Sequence, residues 1–375
     1  MDCGVQIELV VTGGFQSLFE KQKKGIVEGY PNINIKYLHS YLHCNIWLRR
    51  IYVYVLAYYF QKLKNIRLKQ VFQSDCDVLW LAYDNSILQS FLRNKKYLQK
   101  PSFIELNEFN DLHLHGLQFG NKFQHKIFAR ENNTFLKAIK EIDLVAVMTN
   151  TLKDHYQQLA NPKARFFHLP MTVNINRFKE LHSYPKGLKK PYIAYTGTFN
   201  NQKDGVDILI KAFAKLADQY KEHTLYLAGF YHYDMSFNEQ LVKSFGIKDR
   251  IVNVGALTKD EVPGFLQHAS LLVMARPDSR QAKGGFPTKL GEYLATGNPV
   301  CLTKVGEIND YLVDNQSAYF AEPGNVDSFA EAMERALSNP ESARVVGSNG
   351  KKIAETIFDT NVQGKRLLKF LSIEK

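Results

Sequence analysis

The residues best suited to chemistry lie in a short stretch, GGFPTKLGE, from Gly284 to Glu292. The pair Gly284-Gly285 would lead the chain into a helix that opens at Pro287 and closes at Gly297, with Pro at the first helical position and Gly just past the end. The first turn of a helix leaves N–H groups unpaired at the positive end of its dipole, so a glycine-led entry of this kind can hold a phosphate or diphosphate. Thr288 and Lys289 add a hydroxyl and a cation there, and Glu292 shares a face with Thr288 at i,i+4. A carboxylate beside an anion site repels the anion, so Glu292 fits better as an acceptor for the hydroxyls of a ribose or sugar diol. A well-capped crossover helix with a solvated Glu292 would show the same spacing, and spacing alone leaves both readings open.

Two other stretches carry similar potential. The segment from Glu105 to His115 holds Glu105, Asn107, Glu108, Asn110, Asp111, His113 and His115. Paired carboxylates near imidazoles can move protons, whereas a helix-entry loop would also be rich in Asn and Asp for capping. Gly197 follows an apolar run, with Lys203 and Gly205 before the next helix, which repeats the glycine turn and cation. Gly229 and Gly255 also follow strand-like runs, the latter in VNVGAL. Several glycine-terminated strands facing one edge imply a crevice shaped for a nucleotide.

Such side chains need strands to aim them. Strand-like runs at 6–11, 33–38, 77–82, 102–106, 144–148 and 165–169 alternate with helical periodicity. A polar, Pro-bounded stretch at 178–191 reads as a linker, and a second series follows at 192–195, 224–228, 251–254, 271–275 and 300–303. Helices are expected over 327–337 and about 345–371. This alternation implies right-handed parallel βαβ units in doubly wound sheets, with ligands at the carboxyl ends of the strands.

Composition narrows the classes. The 375 residues allow two domains, and 45% hydrophobic with 23% charged residues fits a soluble globular chain. The net charge of +11 is uneven: residues 1–180 hold 24 Lys+Arg against 15 Asp+Glu, so the first half is expected to meet something anionic. Four cysteines without a CxxC fit a reducing cytoplasm and argue against a structural zinc site. Residues 29–74 contain seven Lys/Arg, ten aromatics and no acidic residue, the composition of a segment lying in an anionic membrane interface. We assign that docking role to about 39–72; an apolar helix covering a sheet would share much of the composition. No RNA- or DNA-binding motif accompanies it, so nucleic acid is not an expected partner. The most apolar window, Ile46 to Phe60, contains Arg49-Arg50 and as a helix reaches only about 22 Å of the roughly 30 Å needed to span a bilayer. The N-terminus shows no signal-peptide pattern.

Four linked blocks resemble the GT-B glycosyltransferases, specifically the large retaining group often called family 4: IAYTGTFNNQKDGVDILIKAFAKL, RIVNVGALTKDEVPGFLQHASLLVMARP, GGFPTKLGEYLATGNPV and GEINDYLVDNQSAYFAEPGNVDSFAEAM. FIELNEFND and FHLPMTVNINRF match only in style. The resemblance implies an α/β protein of two Rossmann-like doubly wound domains: 1–180 on the acceptor side, 181–350 binding the nucleotide sugar, and a C-terminal helix within 351–375 packing back on the first domain. It implies that Glu292 holds the donor ribose and that Lys203 with the Gly197-Thr198 turn contacts the diphosphate. Gly255, Ala256 and Leu257 would border the base, and Gly285, Phe286, Pro287, Thr288 and Lys289 would face the sugar and phosphates. Glu105, Asn107 and Glu108 would form the catalytic loop. No cofactor or metal is expected, since cations and helix N-termini can stabilise the departing diphosphate of a UDP- or GDP-sugar.

There are three departures. Gly284 stands where the family has the first of two glutamates, eight residues before Glu292, and Thr198 stands where it commonly has arginine. The chain also begins at the family's second strand, so the N-terminal domain is expected to lack its first; on that expectation the gene start is misassigned or the protein is a defective remnant. Asn107 stands nearest the place of a familial histidine, for which His113 or His115 could substitute. The expected activity is retaining transfer of a hexosyl unit to a lipid-linked or polysaccharide acceptor in cell-surface glycan synthesis, by a cytoplasmic protein peripheral at the inner face of the membrane. The competing expectation is a catalytically silent nucleotide-sugar-binding or partner subunit.

Overall fold

The computed structural model describes residues 5–11, 25–27, 30–37, 68–109, 122–230 and 234–371. The chain is an α/β protein of GT-B architecture with two Rossmann-like domains. The C-terminal sheet is all parallel, in the order β10-β9-β8-β11-β12-β13. Its strands are β8 (Tyr192–Thr198), β9 (Thr224–Phe230), β10 (Ile251–Gly255), β11 (Leu271–Met274), β12 (Val300–Thr303) and β13 (Tyr319–Ala321). The order reverses between β8 and β11, which opens a crevice at their carboxyl ends.

Both faces of this sheet are covered, and its strands are accordingly continuous apolar runs. The period of two divides them cleanly. Ile193, Tyr195, Leu225, Leu227, Leu271 and Val273 face a core with helices α5 (Val206–Leu216) and α11 (Val326–Ser338). Tyr192, Ala194, Tyr226, Ala228, Leu272 and Met274 face the other way, onto α7 (Glu261–Gln267) and α9 (Thr288–Thr296).

In the N-terminal half, β4 (Leu79–Leu81), β5 (Ser102–Leu106), β6 (Leu144–Val147) and β7 (Arg165–His168) pair in parallel and in chain order. Helices α1 (Asn85–Asn94), α2 (Lys122–Ile139) and α3 (Asn150–Gln157) follow β4, β5 and β6. Instead of one continuous sheet, the described residues form a second, three-stranded one. Here β1 (Ile7–Val11) pairs in parallel with β3 (Tyr30–Tyr37), and β2 (Gly25–Val27) adds antiparallel to β3. Val10 of β1 packs on the main core.

The long C-terminal helix expected from periodicity is broken. Helix α12 (Pro340–Ile353) runs into one π turn (Ala354–Phe358), and Asp359 is extended before α13 (Thr360–Leu371). The break is tertiary in origin: Val173 donates to the Phe358 carbonyl at 2.8 Å and accepts from the Thr360 N–H at 3.0 Å. Helix α13 then lies on the N-terminal sheet, where Phe370 stacks on Phe167 at 5.1 Å and Arg165 donates to the Phe370 carbonyl.

Of the basic aromatic segment 39–72, only 68–72 is described, and Leu68 and Phe72 are buried core residues. Asn110, Asp111, His113 and His115 lie outside the described residues. Among the described residues, no helix is long and apolar enough to cross a membrane.

Candidate functional site

The crevice is built from close approaches of backbone. Gly205 follows the short helix α4 (Asn201–Asp204) in the left-handed region, φ 64°, and a Cβ on it would stand 1.9 Å from the Ala275 carbonyl oxygen. Only glycine lets this turn lie against the end of β11. Near the end of β8, which runs past the expected 195 and includes Gly197, a Cβ on Gly197 would stand 2.2 Å from the Lys289 Nζ and 2.6 Å from the Tyr195 hydroxyl. The Lys289 ammonium therefore sits directly beneath the last residues of β8. It pairs with Asp204 at 3.0 Å and donates to the Tyr195 hydroxyl at 3.3 Å, while that hydroxyl donates to the Thr198 carbonyl at 2.8 Å. Desolvation lowers the Lys289 pKa, opposed by the Asp204 carboxylate.

Arg276, directly after β11, is 5% exposed and reaches the Gly285 carbonyl at 3.3 Å. Burial lowers its pKa, while the charges of Asp204 and Glu108 oppose that shift. The sequence reading passed over Arg276; the available signal was a cation placed immediately after a buried strand. Lys203 is exposed, and its Nζ lies 3.4 Å from Glu108 Oε1. Gln281 of α8 (Arg280–Gly284) donates to the other Glu108 oxygen at 3.4 Å. The polar stretch before Gly284 thus contains a helical turn, capped by Ser279.

The N-terminal domain closes on this wall. The Tyr156 hydroxyl donates to the Glu108 carbonyl at 2.9 Å, fixing the loop, and the Asn107 carbonyl would stand 3.8 Å from a Gly285 Cβ. Phe109 fills the space above Gly284, with the Arg280 guanidinium 4.5 Å over its ring and His155 at its edge. The Thr149 hydroxyl donates to the Gly284 carbonyl at 2.7 Å. Buried Glu307 accepts from the Asn150 N–H and, at 3.3 Å, from the Thr151 N–H, so a C-terminal-domain carboxylate caps α3. His168 Nε2 is 3.2 Å from Glu307 Oε2, an electrostatic contact without hydrogen-bond geometry.

Helix α9 starts one residue later than expected, with Pro287 as its cap, and Gly297 at φ 81° ends it. Pro287 donates no side-chain cap, so the Thr288 and Lys289 N–H groups lack a capping side chain, while the Leu290 N–H bonds back to the Pro287 carbonyl at 3.0 Å; Thr288 is exposed. Phe286 is turned away: its ring packs on Tyr311 and Phe358, and its N–H points at Met148 Sδ. Glu292 is half-buried and held by Arg177, which also donates to the Lys259 carbonyl at 2.7 Å. Through Lys259 this joins the end of β10, where Gly255 takes φ 78°, Ala256 is exposed and Leu257 half-buried.

The structure thus gathers Gly197, Thr198, Lys203, Gly285, Thr288 and Lys289 with Asn107 and Glu108 around one crevice, and places Glu292 one helical turn deeper. Glu105 stays inside β5, opposite Ala146 and half-buried. A cavity of about 1370 Å³ runs along the edge strand β10 between Tyr184, Tyr226 and Phe265. It meets the crevice at Leu257 but is lined by none of Lys203, Lys289 or Glu292, so its size does not make it the reactive centre. The crevice itself offers three cations, Lys203, Arg276 and Lys289, and the uncapped start of α9 for an anion, and the Glu292 carboxylate for a diol.

The family model for glycosyl transferases group 1 matches residues 176–353. A GDP-mannose-dependent alpha-(1-6)-phosphatidylinositol monomannoside mannosyltransferase from Mycolicibacterium smegmatis is 23% identical over 62% of this chain and 63% of its own length. A 2-deoxystreptamine glucosyltransferase from Streptomyces kanamyceticus is 30% identical over 45% of this chain and 41% of its own. The match spans less than two thirds of either relative. Among solved structures, a sucrose-phosphate synthase from Thermosynechococcus elongatus superposes with a TM-score of 0.71 at 15% identity, covering 98% of this chain and 88% of that one. Anabaena HepE in complex with UDP and glucose superposes with a TM-score of 0.65 at 15% identity, covering 92% and 88%.

Proposed function

We propose, from the match of residues 176–353 to the family model for glycosyl transferases group 1, that the protein moves a hexosyl unit from a UDP- or GDP-sugar to an acceptor hydroxyl. The observation that carries this is the convergence of Lys203, Arg276 and the start of α9, which has no side-chain cap, on one crevice, with Glu292 one helical turn along the same helix. Cations and N–H groups suit a diphosphate, and a carboxylate at that distance suits a ribose diol. The UDP and glucose named with HepE, and the GDP-mannose named with the mycobacterial relative, support a nucleoside diphosphate donor.

In the proposed reaction the bond from the sugar C1 to the diphosphate breaks and one from C1 to the acceptor oxygen forms on the same face, with retention. The acceptor proton passes to the departing diphosphate or to Glu108. Lys203, Arg276 and the α9 N–H groups offset the charge of the leaving group, and activity is expected to persist in EDTA. The acceptor is proposed to be lipid-linked or a polysaccharide, reached from the cytoplasmic membrane face through segment 39–72, in cell-surface glycan synthesis. The phosphatidylinositol mannoside named for the mycobacterial relative supports a lipid acceptor.

Calorimetric titration with UDP- and GDP-hexoses tests the donor site. Binding by the wild type that weakens at least tenfold in Glu292→Ala is expected; absence of binding by any nucleoside diphosphate sugar refutes the reading. A second reading, a silent nucleotide-sugar-binding subunit, is favoured by Phe109 standing where a side chain on residue 284 would go. Binding without transfer or hydrolysis of any bound donor would select it.

A further inference from the structure

The linker between the domains, counted here from Met171 and so longer than the expected 178–191, does more than connect them. Met171 and Val173 press on α9 at Gly291, where a Cβ would stand 2.8 Å from Met171 Sδ and 2.9 Å from Val173 Cβ. Four residues on, the linker turn Ile175–Phe178 presents Arg177 to the next residue of the same helix, Glu292. The linker itself is pinned there. His182 Nε2 lies 2.9 Å from the Arg177 carbonyl, Gln267 donates to the Phe178 carbonyl at 3.2 Å, and one Arg177 nitrogen is fixed on the Lys259 carbonyl. Arg177 meets only Oε1 of Glu292.

We propose that Arg177 is a positioning residue that makes the donor site read the 2′-hydroxyl of a nucleoside diphosphate. Resting on the donor-site reading above, the mechanism is geometric. Held at Oε1, the Glu292 carboxylate cannot rotate freely, and its second oxygen is presented in one orientation to the ribose diol. A carboxylate as acceptor makes that bond a charge-assisted one. An unheld glutamate on a helix surface would have to be ordered by the ligand itself, and the discrimination it could give would fall accordingly.

The test compares binding of UDP with 2′-deoxy-UDP, and GDP with 2′-deoxy-GDP, by calorimetry in wild type, Arg177→Ala, Arg177→Lys and Glu292→Gln. The wild type is expected to favour the ribose form by roughly tenfold, the size of one charge-assisted hydrogen bond. Arg177→Ala should bring that ratio to within about twofold by weakening the ribose form alone, with Arg177→Lys intermediate. Equal weakening of both forms would mean that Arg177 only supports the fold, and tighter binding of the ribose form would mean that it competes with the ligand. Either outcome, or an unchanged ratio, overturns the proposal while leaving the donor site standing. If the wild type binds no nucleoside diphosphate, or Glu292→Gln keeps the full ratio, the donor-site reading fails and this inference with it.

Discussion

The contact between Phe109 and Gly284 can be weighed by adding a single methyl group. An alanine Cβ at 284 would stand 2.3 Å from Phe109 Cε2, 2.7 Å from Cδ2 and 3.1 Å from Cζ. Ordinary carbon contacts begin near 3.5 Å, so the ring must retreat by about 1.2 Å. It has little room, being 8% exposed and held between the Arg280 guanidinium and the His155 ring. Overpacking of this kind costs about 1–3 kcal/mol, against at most about 1 kcal/mol gained from replacing a helical glycine by alanine. Gly284 is the last residue of its helix, so that gain is small, and Gly284→Ala is expected to lose about 1–2 kcal/mol. In a Phe109→Ala background the methyl enters vacated space and the same change should be neutral or slightly favourable. Urea denaturation of the four proteins gives a coupling energy near 2 kcal/mol if this is right. Equal effects of Gly284→Ala in both backgrounds, within about 0.5 kcal/mol, would refute the packing account. The same steric argument predicts that Gly284→Glu, which reinstates the acidic residue implied by family resemblance, raises donor affinity only when Phe109 is trimmed.

Further predictions follow from the charged groups. Lys289→Met leaves Asp204 buried without its partner and should cost about 3 kcal/mol or more, most of it recovered in the double variant with Asp204→Asn; urea midpoints check this. Burial, and then the Arg250 charge, depress the His223 pKa below its ordinary value. Since the folded pKa lies below the unfolded one, the neutral ring's stability is present above about pH 6.5 and is lost as pH falls through the folded value. His223→Gln should therefore flatten the fall of Tm on acidification below pH 6.5. Glu307→Gln weakens the cap that one domain places on α3 of the other, and scanning calorimetry should show a loss of about 1–2 kcal/mol. Glu108→Gln removes a carboxylate from Lys203, so nucleoside diphosphate binding should tighten modestly, by twofold to fivefold, while transfer slows; weaker binding would count against the assignment.

The C-terminal domain was legible because its signals are local. Strands buried on both faces, such as β11 and β12, read as unbroken apolar runs with a glycine or proline within three residues of the end, and α9 carries its start at Pro287 and its stop at Gly297. Gly205 was legible as a turn, whereas Gly197, expected after the strand, lies inside β8; the reasons for both glycines, the Ala275 carbonyl and Lys289 Nζ, come from distant segments. What the sequence could not show was long-range. Phe109 and Gly284 are 175 positions apart, Arg177 and Glu292 are 115 apart, and neither contact leaves a periodic trace. The break in the C-terminal helix is of the same kind. Helical periodicity continues through 354–358, and the interruption is imposed by Val173 pairing on both sides of Asp359. In the N-terminal half the three-residue antiparallel strand β2 is too short to announce itself by alternation.

The energetics of the cations decide how a diphosphate could be received. Every acidic group at the crevice already has a partner: Asp204 has Lys289, Glu108 has Lys203 and Gln281, and Glu292 has Arg177. An entering anion must therefore exchange partners, and the pairs differ in what that exchange costs. The Lys203–Glu108 pair has side chains 44% and 51% exposed, so separating it costs no more than about 1 kcal/mol. The Lys289–Asp204 pair, 17% and 7% exposed, would leave a buried charge uncompensated, at about 3–5 kcal/mol. Lys289 is also covered by the end of β8 that it supports. On the proposed donor-site reading, Lys203 is the cation expected to change partner when a diphosphate enters, with Arg276 staying in place and Lys289 holding the end of β8 at Gly197. Release from Lys203 would leave the Glu108 carboxylate held by Gln281 alone, on the N-terminal face of the crevice.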